Sequence, residues 1–289
     1  MTGTSSTGIR YLLYPLLLAT TVLVTYAALQ GGWDLKHTLW AYLLGLLALL
    51  IALERSLPMS PGWGMTRDSF LRDLQYLVTS GITIAVVRGS FGALALWLAG
   101  QYHGPLARVA VIPAVVTYFL VFEFFQYWFH RLSHSGRGRL GRFLWRVHVA
   151  HHLPDRVYVV MHGVFHPLGA LFTAVLVQAP MLLLGLSPQA VFAATLLIDL
   201  QTMVSHFNVD VRAGLLNYVF VGTELHRYHH SARLDEAKNY GSVIPLWDLV
   251  FGTFLHRPGQ PPAKLGLDGS GEYPPSPNLR QVLALPFRS

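Results

Sequence analysis

Eight of the chain's 14 histidines fall into three short runs: His130 and His134 in HRLSH, His148, His151 and His152 in HVAHH, and His226, His229 and His230 in HRYHH. On a helix, residues three or four apart share a face, so each run aims two imidazoles at one point, and the doubled HH adds a third on the adjacent face. One run can therefore serve two metals. At the chain's own histidine frequency a given three-histidine pattern arises by chance about 0.03 times. Imidazole suits zinc, copper, iron and nickel, so ligand type alone does not name the metal. The number of rings says more: eight is twice what one tetrahedral zinc uses, whereas two iron sites, each with an open position, want about that many or slightly more. His206 supplies a ninth, at the end of an apolar segment, and Asp199, seven residues earlier, shares its helical face. The chain has no cysteine, which excludes disulfides, thiolate metal sites and cysteine nucleophiles.

Three polar residues near these runs are candidates to hold the rings in place: Glu123, Asp199 and Asn208. A carboxylate beside a ligand commonly accepts the ring's second N–H. Glu123 recurs with Tyr127, His130 and His134 at helical spacing and fits that role; an ion pair with Arg88 and a protonated core acid are the alternatives. His162 and His166 lie outside the triplet spacing, and His166-Pro167 can simply begin a helix. His37, His103 and His256 read as surface or interfacial residues.

The elements that must carry these residues are apolar. Hydrophobic residues make up 53% of the chain and charged residues only 12%, with a mean hydropathy of +0.43. An ordinary soluble domain is about a quarter charged, so the bilayer is the expected solvent. Stretches approaching the roughly 20 residues needed to span it run over Tyr11–Gln30, Thr38–Leu53, Leu74–Ala99, Val109–Phe129, Leu168–Leu186 and Pro188–Val204. The expected fold is an all-α integral membrane bundle of four to six membrane helices with a histidine-rich helical cap on the cytoplasmic side. The first segment reads as an anchor, because a lone Arg10 precedes it and no cleavage site is followed by a polar domain. Three parts are expected: membrane segments over 1–73, a catalytic domain over 74–256, and a Pro/Gly-rich tail over 257–289 that lies on the surface or is disordered. There is no internal repeat.

The formal charge of +7 is mostly arginine, which in such a chain reports topology before nucleic acid. Arg10, then Arg55, Arg67 and Arg72, then Arg131 to Arg156 mark alternate loops, whereas the intervening loops hold only Lys36 and Arg108. The N-terminus is thereby expected inside, with every histidine run on that same side. Arg88, in the third segment, is costly at mid-bilayer unless it faces the interior; with Gly81, Gly89 and Gly92 nearby, a bend or interfacial segment is expected.

Read in order, HRLSH, HVAHH and HRYHH resemble the fatty acid hydroxylase and sterol desaturase superfamily. The resemblance extends over about Arg72 to Leu255 and includes NYGSVIPLWDLVFGTF, Asn239 to Phe254. It implies His130, His134, His148, His151, His152, His206, His226, His229 and His230 as ligands of two Fe2+ ions. The implied activity is O2-dependent hydroxylation or desaturation of an unactivated C–H bond in a lipid such as a fatty acyl chain or sterol. Some members carry a further histidine where this chain has Thr202, many have Asp at the Glu123 position, and Val164 stands where bacterial relatives often have Arg. No dinucleotide fingerprint or haem motif is present, so electrons are expected from a separate NAD(P)H-linked ferredoxin, cytochrome b5 or reductase, docking on the basic face around Arg137 to Arg146. The rival reading is a membrane transition-metal transporter or sensor, which would string ionisable residues through the bilayer rather than gather them at one face.

Overall fold

A computed structural model describes residues 3–268 and 273–288. It is helical throughout, and among the described residues the only β pairing is two isolated bridges. The main helices are α1 (Gly3–Gln30), α2 (Leu35–Ser56), α3 (Arg67–Leu98), α4 (Val111–Ser133), α5 (Gly138–His152), α6 (Pro167–Leu184) and α7 (Pro188–Ser205). Three short ones follow, α8 (Thr223–His229), α9 (Leu246–Val250) and α10 (Leu279–Ala284).

Local sequence sets the helix ends. Asp34 caps α2 by accepting the His37 N–H at 2.8 Å. Thr66 and Ser69 exchange reciprocal bonds across the first turn of α3. The α6–α7 hairpin is punctuated by Gly185, whose φ of 68° ends α6, and by Ser187, whose hydroxyl caps α7 ahead of Pro188. Gly104 closes this corner from outside: a Cβ there would stand 2.4 Å from the Leu184 carbonyl carbon.

Five helical stretches are long and apolar enough to cross a membrane: Gly8–Gln30, Leu35–Ser56, Arg67–Leu98, Val111–Ser133 and Pro167–Leu184. Their length and composition suit helices that span a bilayer. The sixth apolar stretch, α7, falls outside this group; it is enclosed by α1, α2 and α4. Large apolar side chains such as Leu23, Ile82, Val86, Leu96 and Ile112 project outward, a surface suited to lipid and costly in water. Inside, Tyr14 of α1 donates to Gln201 Oε1 of α7 at 2.9 Å, and Thr21 and Tyr42 join α1 to α2 at 2.6 Å.

Helix α3 runs unbroken through Gly81, Gly89 and Gly92, and Arg88, which is exposed, lines a cavity between the helices. One expectation is revised. The tail after Arg257 folds back. Trp145 donates to Tyr273 Oη at 2.8 Å, Tyr76 donates to the Ser276 carbonyl at 2.8 Å, and Val282 and Leu285 enter the core. Its proline and glycine content disguised a terminal apolar stretch with enough surface to bury.

Candidate metal centre

The C-terminal ends of α4, α5 and α7 and the short α8 meet at one end of the bundle, and each delivers histidines there. The nine rings form two groups. His130, His134, His148, His152 and His229 present ring nitrogens within 4.8 Å of one another, and so do His151, His206, His226 and His230. The doubled histidines divide between them. His151 and His152 face different groups, as do His229 and His230, as expected for neighbours about 100° apart on a helix.

Four of the nine rings are oriented by backbone carbonyls. His130 Nδ1 donates to Tyr240 O at 2.8 Å, His151 Nδ1 to Val164 O at 3.0 Å, His206 Nδ1 to Thr202 O at 3.1 Å and His229 Nδ1 to Lys238 O at 3.0 Å. A carbonyl can only accept, so the proton sits on Nδ1 and each neutral ring turns an Nε2 lone pair inward. Burial pushes His148, His152, His206, His226, His229 and His230 well below the ordinary histidine range, with repulsion from neighbouring rings adding to it. Burial likewise takes His151 down to about 3. The rings outside the spans are therefore neutral near pH 7.

That protonation pattern makes the centre unstable without a cation. His151 Nε2 lies 3.1 Å from His206 Nε2, and neither has a proton to share. His206 Nε2 is in turn 3.1 Å from His226 Nε2, which is 3.1 Å from His230 Nε2. In the other group, His148 Nε2 lies 3.1 Å from His130 Nε2 and 2.9 Å from His152 Nε2. His134 Nε2, His229 Nε2 and His230 Nδ1 are buried with no hydrogen-bond partner among the described residues. Converging buried lone pairs repel unless a positive ion sits among them. An all-imidazole donor set with no carboxylate is suited to a first-row transition metal rather than to magnesium or calcium.

None of the three residues expected to hold the rings hydrogen-bonds to one among the described residues. Glu123 touches no imidazole: its carboxylate accepts the backbone N–H groups of Ser242 (3.0 Å), Val243 and Ile244 (3.3 Å). Asp199 does not reach His206, whose Nδ1 is occupied by Thr202 O; its Oδ2 is buried and unpartnered. Asn208 ties the backbone of Ser60 through bonds of 3.0 and 3.1 Å. The rings that are held use carbonyls instead: Thr202 O lies in the last turn of α7, where carbonyls are free, and Val164 O, Lys238 O and Tyr240 O lie in loops that pass the rings. His166 caps α6 by accepting the Leu168 N–H at 3.0 Å, His162 lines the cavity beside the rings, and His256 is packed against Asn217 rather than lying on the surface.

Sequence reasoning missed the loop that positions the five-ring group. Asn239 has a φ of 58°, the only positive value at a non-glycine among the described residues, in the left-handed region that Asn tolerates best. Its side chain donates to Leu225 O and Leu255 O, both at 2.9 Å, and accepts from Leu255 N at 2.7 Å. The carbonyls on either side of it, Lys238 O and Tyr240 O, orient His229 and His130. Asp248 accepts from Tyr240 N at 2.8 Å and Gly241 N at 2.7 Å, and a Cβ at Gly241 would meet Ile244 O at 2.6 Å. The NYG and WD of Asn239 to Phe254 were the available signal.

Beside the rings a cavity of about 320 Å³ opens between α3, α4, α6 and α7, lined largely by apolar side chains such as Ile84, Phe129, Val177 and Ile198. Its size and lining suit an apolar ligand.

Residues 115–253, which contain all nine rings, match the fatty acid hydroxylase family. An ornithine lipid hydroxylase of Rhizobium tropici is 32% identical over 282 residues, 91% of this chain and 80% of its own length. An alkylglycerol monooxygenase of Homo sapiens is 30% identical over 47% of this chain and 29% of its own. Methylsterol monooxygenase 2-2 of Arabidopsis thaliana is 27% identical over 48% of this chain and 51% of its own. No solved structure matches. The chain belongs to the fatty acid hydroxylase and sterol desaturase superfamily and is an integral membrane oxidoreductase of that family.

Proposed function

We propose that the chain is an O2-dependent lipid hydroxylase or desaturase working with two iron ions, one in each histidine group, on the cytoplasmic side of the membrane. The observation that carries this reading is the pair of imidazole groups with opposed lone pairs at the end of an apolar cavity. His130, His134, His148, His152 and His229 would hold one ion, and His151, His206, His226 and His230 the other. Bound iron would supply the capacity to bind and reduce O2. The protein's own part is to fix the rings through Tyr240 O, Val164 O, Thr202 O and Lys238 O, keep them unprotonated by burial, and present an alkyl chain from the cavity. Hydroxylation consumes the C–H bond, O2, two electrons and two protons and yields an alcohol and water. Desaturation consumes the same O2, two electrons and two protons, removes two hydrogens from the chain, and yields an alkene and two waters.

The electrons would come from a separate NAD(P)H-linked ferredoxin, cytochrome b5 or reductase. Arg137, Arg139 and Arg142 are exposed beside α5 and would form the docking face. The relative from Rhizobium tropici makes an ornithine lipid the first substrate to assay. Expression with an electron donor, followed by comparative lipid mass spectrometry, tests the reading. The expected result is a lipid that has gained one oxygen or lost two hydrogens; an unchanged lipid profile with iron and donor both present would overturn it.

A further inference from the structure

The cavity is not apolar throughout. Gln126 of α4 lies one turn before His130 and is only 7% exposed, and its Oε1 has no hydrogen-bond partner among the described residues. Asp199 of α7 lies about 10 Å from His206 along the helix, and its Oδ2 is likewise buried, with no hydrogen-bond partner among the described residues. Both residues line the cavity, as does Arg88 of α3. Arg88 is exposed, which puts it at the cavity's open side, and it forms no ion pair or side-chain hydrogen bond among the described residues. It lies eight residues beyond Ser80, which is on the same wall, about 12 Å further along α3.

A cavity built only for an alkyl chain has no use for these groups. Buried acceptors without donors, and a cation without a partner on a membrane-spanning helix, are each costly. Together they form a complementary set: two acceptors inside and a multidentate cationic donor at the mouth. The ligand that satisfies all three carries a hydrogen-bond donor and an anionic or carbonyl group close together, at one end of an alkyl chain.

Resting on the reading of this cavity as the substrate site, we infer that Gln126, Asp199 and Arg88 select an amphiphilic lipid with an amino-acid-like polar group. An ammonium or amide N–H is held by Gln126 Oε1 and Asp199 Oδ2, and a carboxylate or carbonyl by the Arg88 guanidinium. The polar group then sits one to three helical turns from the imidazoles, which separates it from the carbon presented for oxidation.

Binding measures this without turnover. The purified full chain in detergent is titrated with Nα-dodecanoyl-lysine and, separately, with methyl dodecanoate, which has the same chain and no charge. Wild type is expected to bind the lysine conjugate at least tenfold more tightly. Asp199→Asn and Arg88→Gln should each erode that preference about tenfold, the value of one charge-assisted hydrogen bond, and leave methyl dodecanoate binding unchanged. Equal binding of the two amphiphiles by wild type overturns the inference with no variant needed. So do variants that keep the wild-type preference or weaken both ligands alike. Because iron and turnover do not enter the readout, the preference can hold while lipid oxidation fails, and the reverse, so the two readings fall separately.

Discussion

Asn239 offers the sharpest test of how the five-ring group is positioned. It touches no imidazole, yet the carbonyls flanking it orient His130 and His229 at 2.8 and 3.0 Å. Asn239→Ala removes three hydrogen bonds, worth about 1 kcal/mol each, and leaves the Leu255 N–H without its side-chain acceptor. It also forces alanine into the left-handed region at roughly 1–2 kcal/mol, for a total of about 4–5 kcal/mol against stability. Asn239→Gly escapes the conformational cost and isolates the lost bonds, about 3 kcal/mol. The effect on metal should be selective. Loosening an outer partner of a ligand lowers metal affinity by about 10–100-fold, and both rings that lose their orientation belong to the same group. His151 and His206 take their carbonyls from Val164 and Thr202, on other elements. Elemental analysis of purified Asn239→Gly after dialysis against a chelator should therefore show metal falling from two toward one per chain. Equal loss from both groups, or full retention with an unchanged thermal midpoint, would refute the cradle argument.

Single changes His148→Ala, His151→Ala or His229→Ala are expected to abolish lipid oxidation and lower bound iron; wild-type turnover in any one of them removes that ring from the ligand set. Charge reversal at Arg137, Arg139 and Arg142 should raise the electron donor's apparent KM with little change in iron content and flatten its salt dependence; an unchanged salt dependence places docking elsewhere. Acid should act on the metal-free protein. Burial lowers the ring values in the fold, so below the ordinary histidine value of 6.5 the unfolded chain binds more protons and stability falls as pH falls toward about 3, where His151 itself titrates. Protons compete with metal over the same interval. A thermal midpoint that stays flat through it would mean the rings are not buried neutral.

The convergence of the nine rings was legible because a rare residue recurs at helical spacing in three short runs, and that spacing puts the rings of each run on one face. The bundle was legible because a spanning helix needs a long apolar stretch. What escaped were contacts made by groups that every residue possesses. Glu123 and Asp199 looked like partners for the rings because carboxylates are the visible acceptors, whereas the acceptors used are the carbonyls of Val164, Thr202, Lys238 and Tyr240. No side-chain pattern marks a carbonyl. Asn239 and Gly241 were visible only as part of a motif, since their roles depend on a backbone angle and on a close approach to Ile244 O. The tail was misjudged because its prolines outweighed the few apolar residues that carry it into the core.

The account depends on two metal ions seated among imidazoles. Iron reconstitution under anaerobic conditions, with elemental analysis and X-ray absorption at the iron edge, measures this directly. Two irons per chain in a shell dominated by nitrogen donors, with the count lowered in the His151→Ala and His152→Ala variants, is the expected result. One iron per chain, or a shell dominated by oxygen, would contradict it.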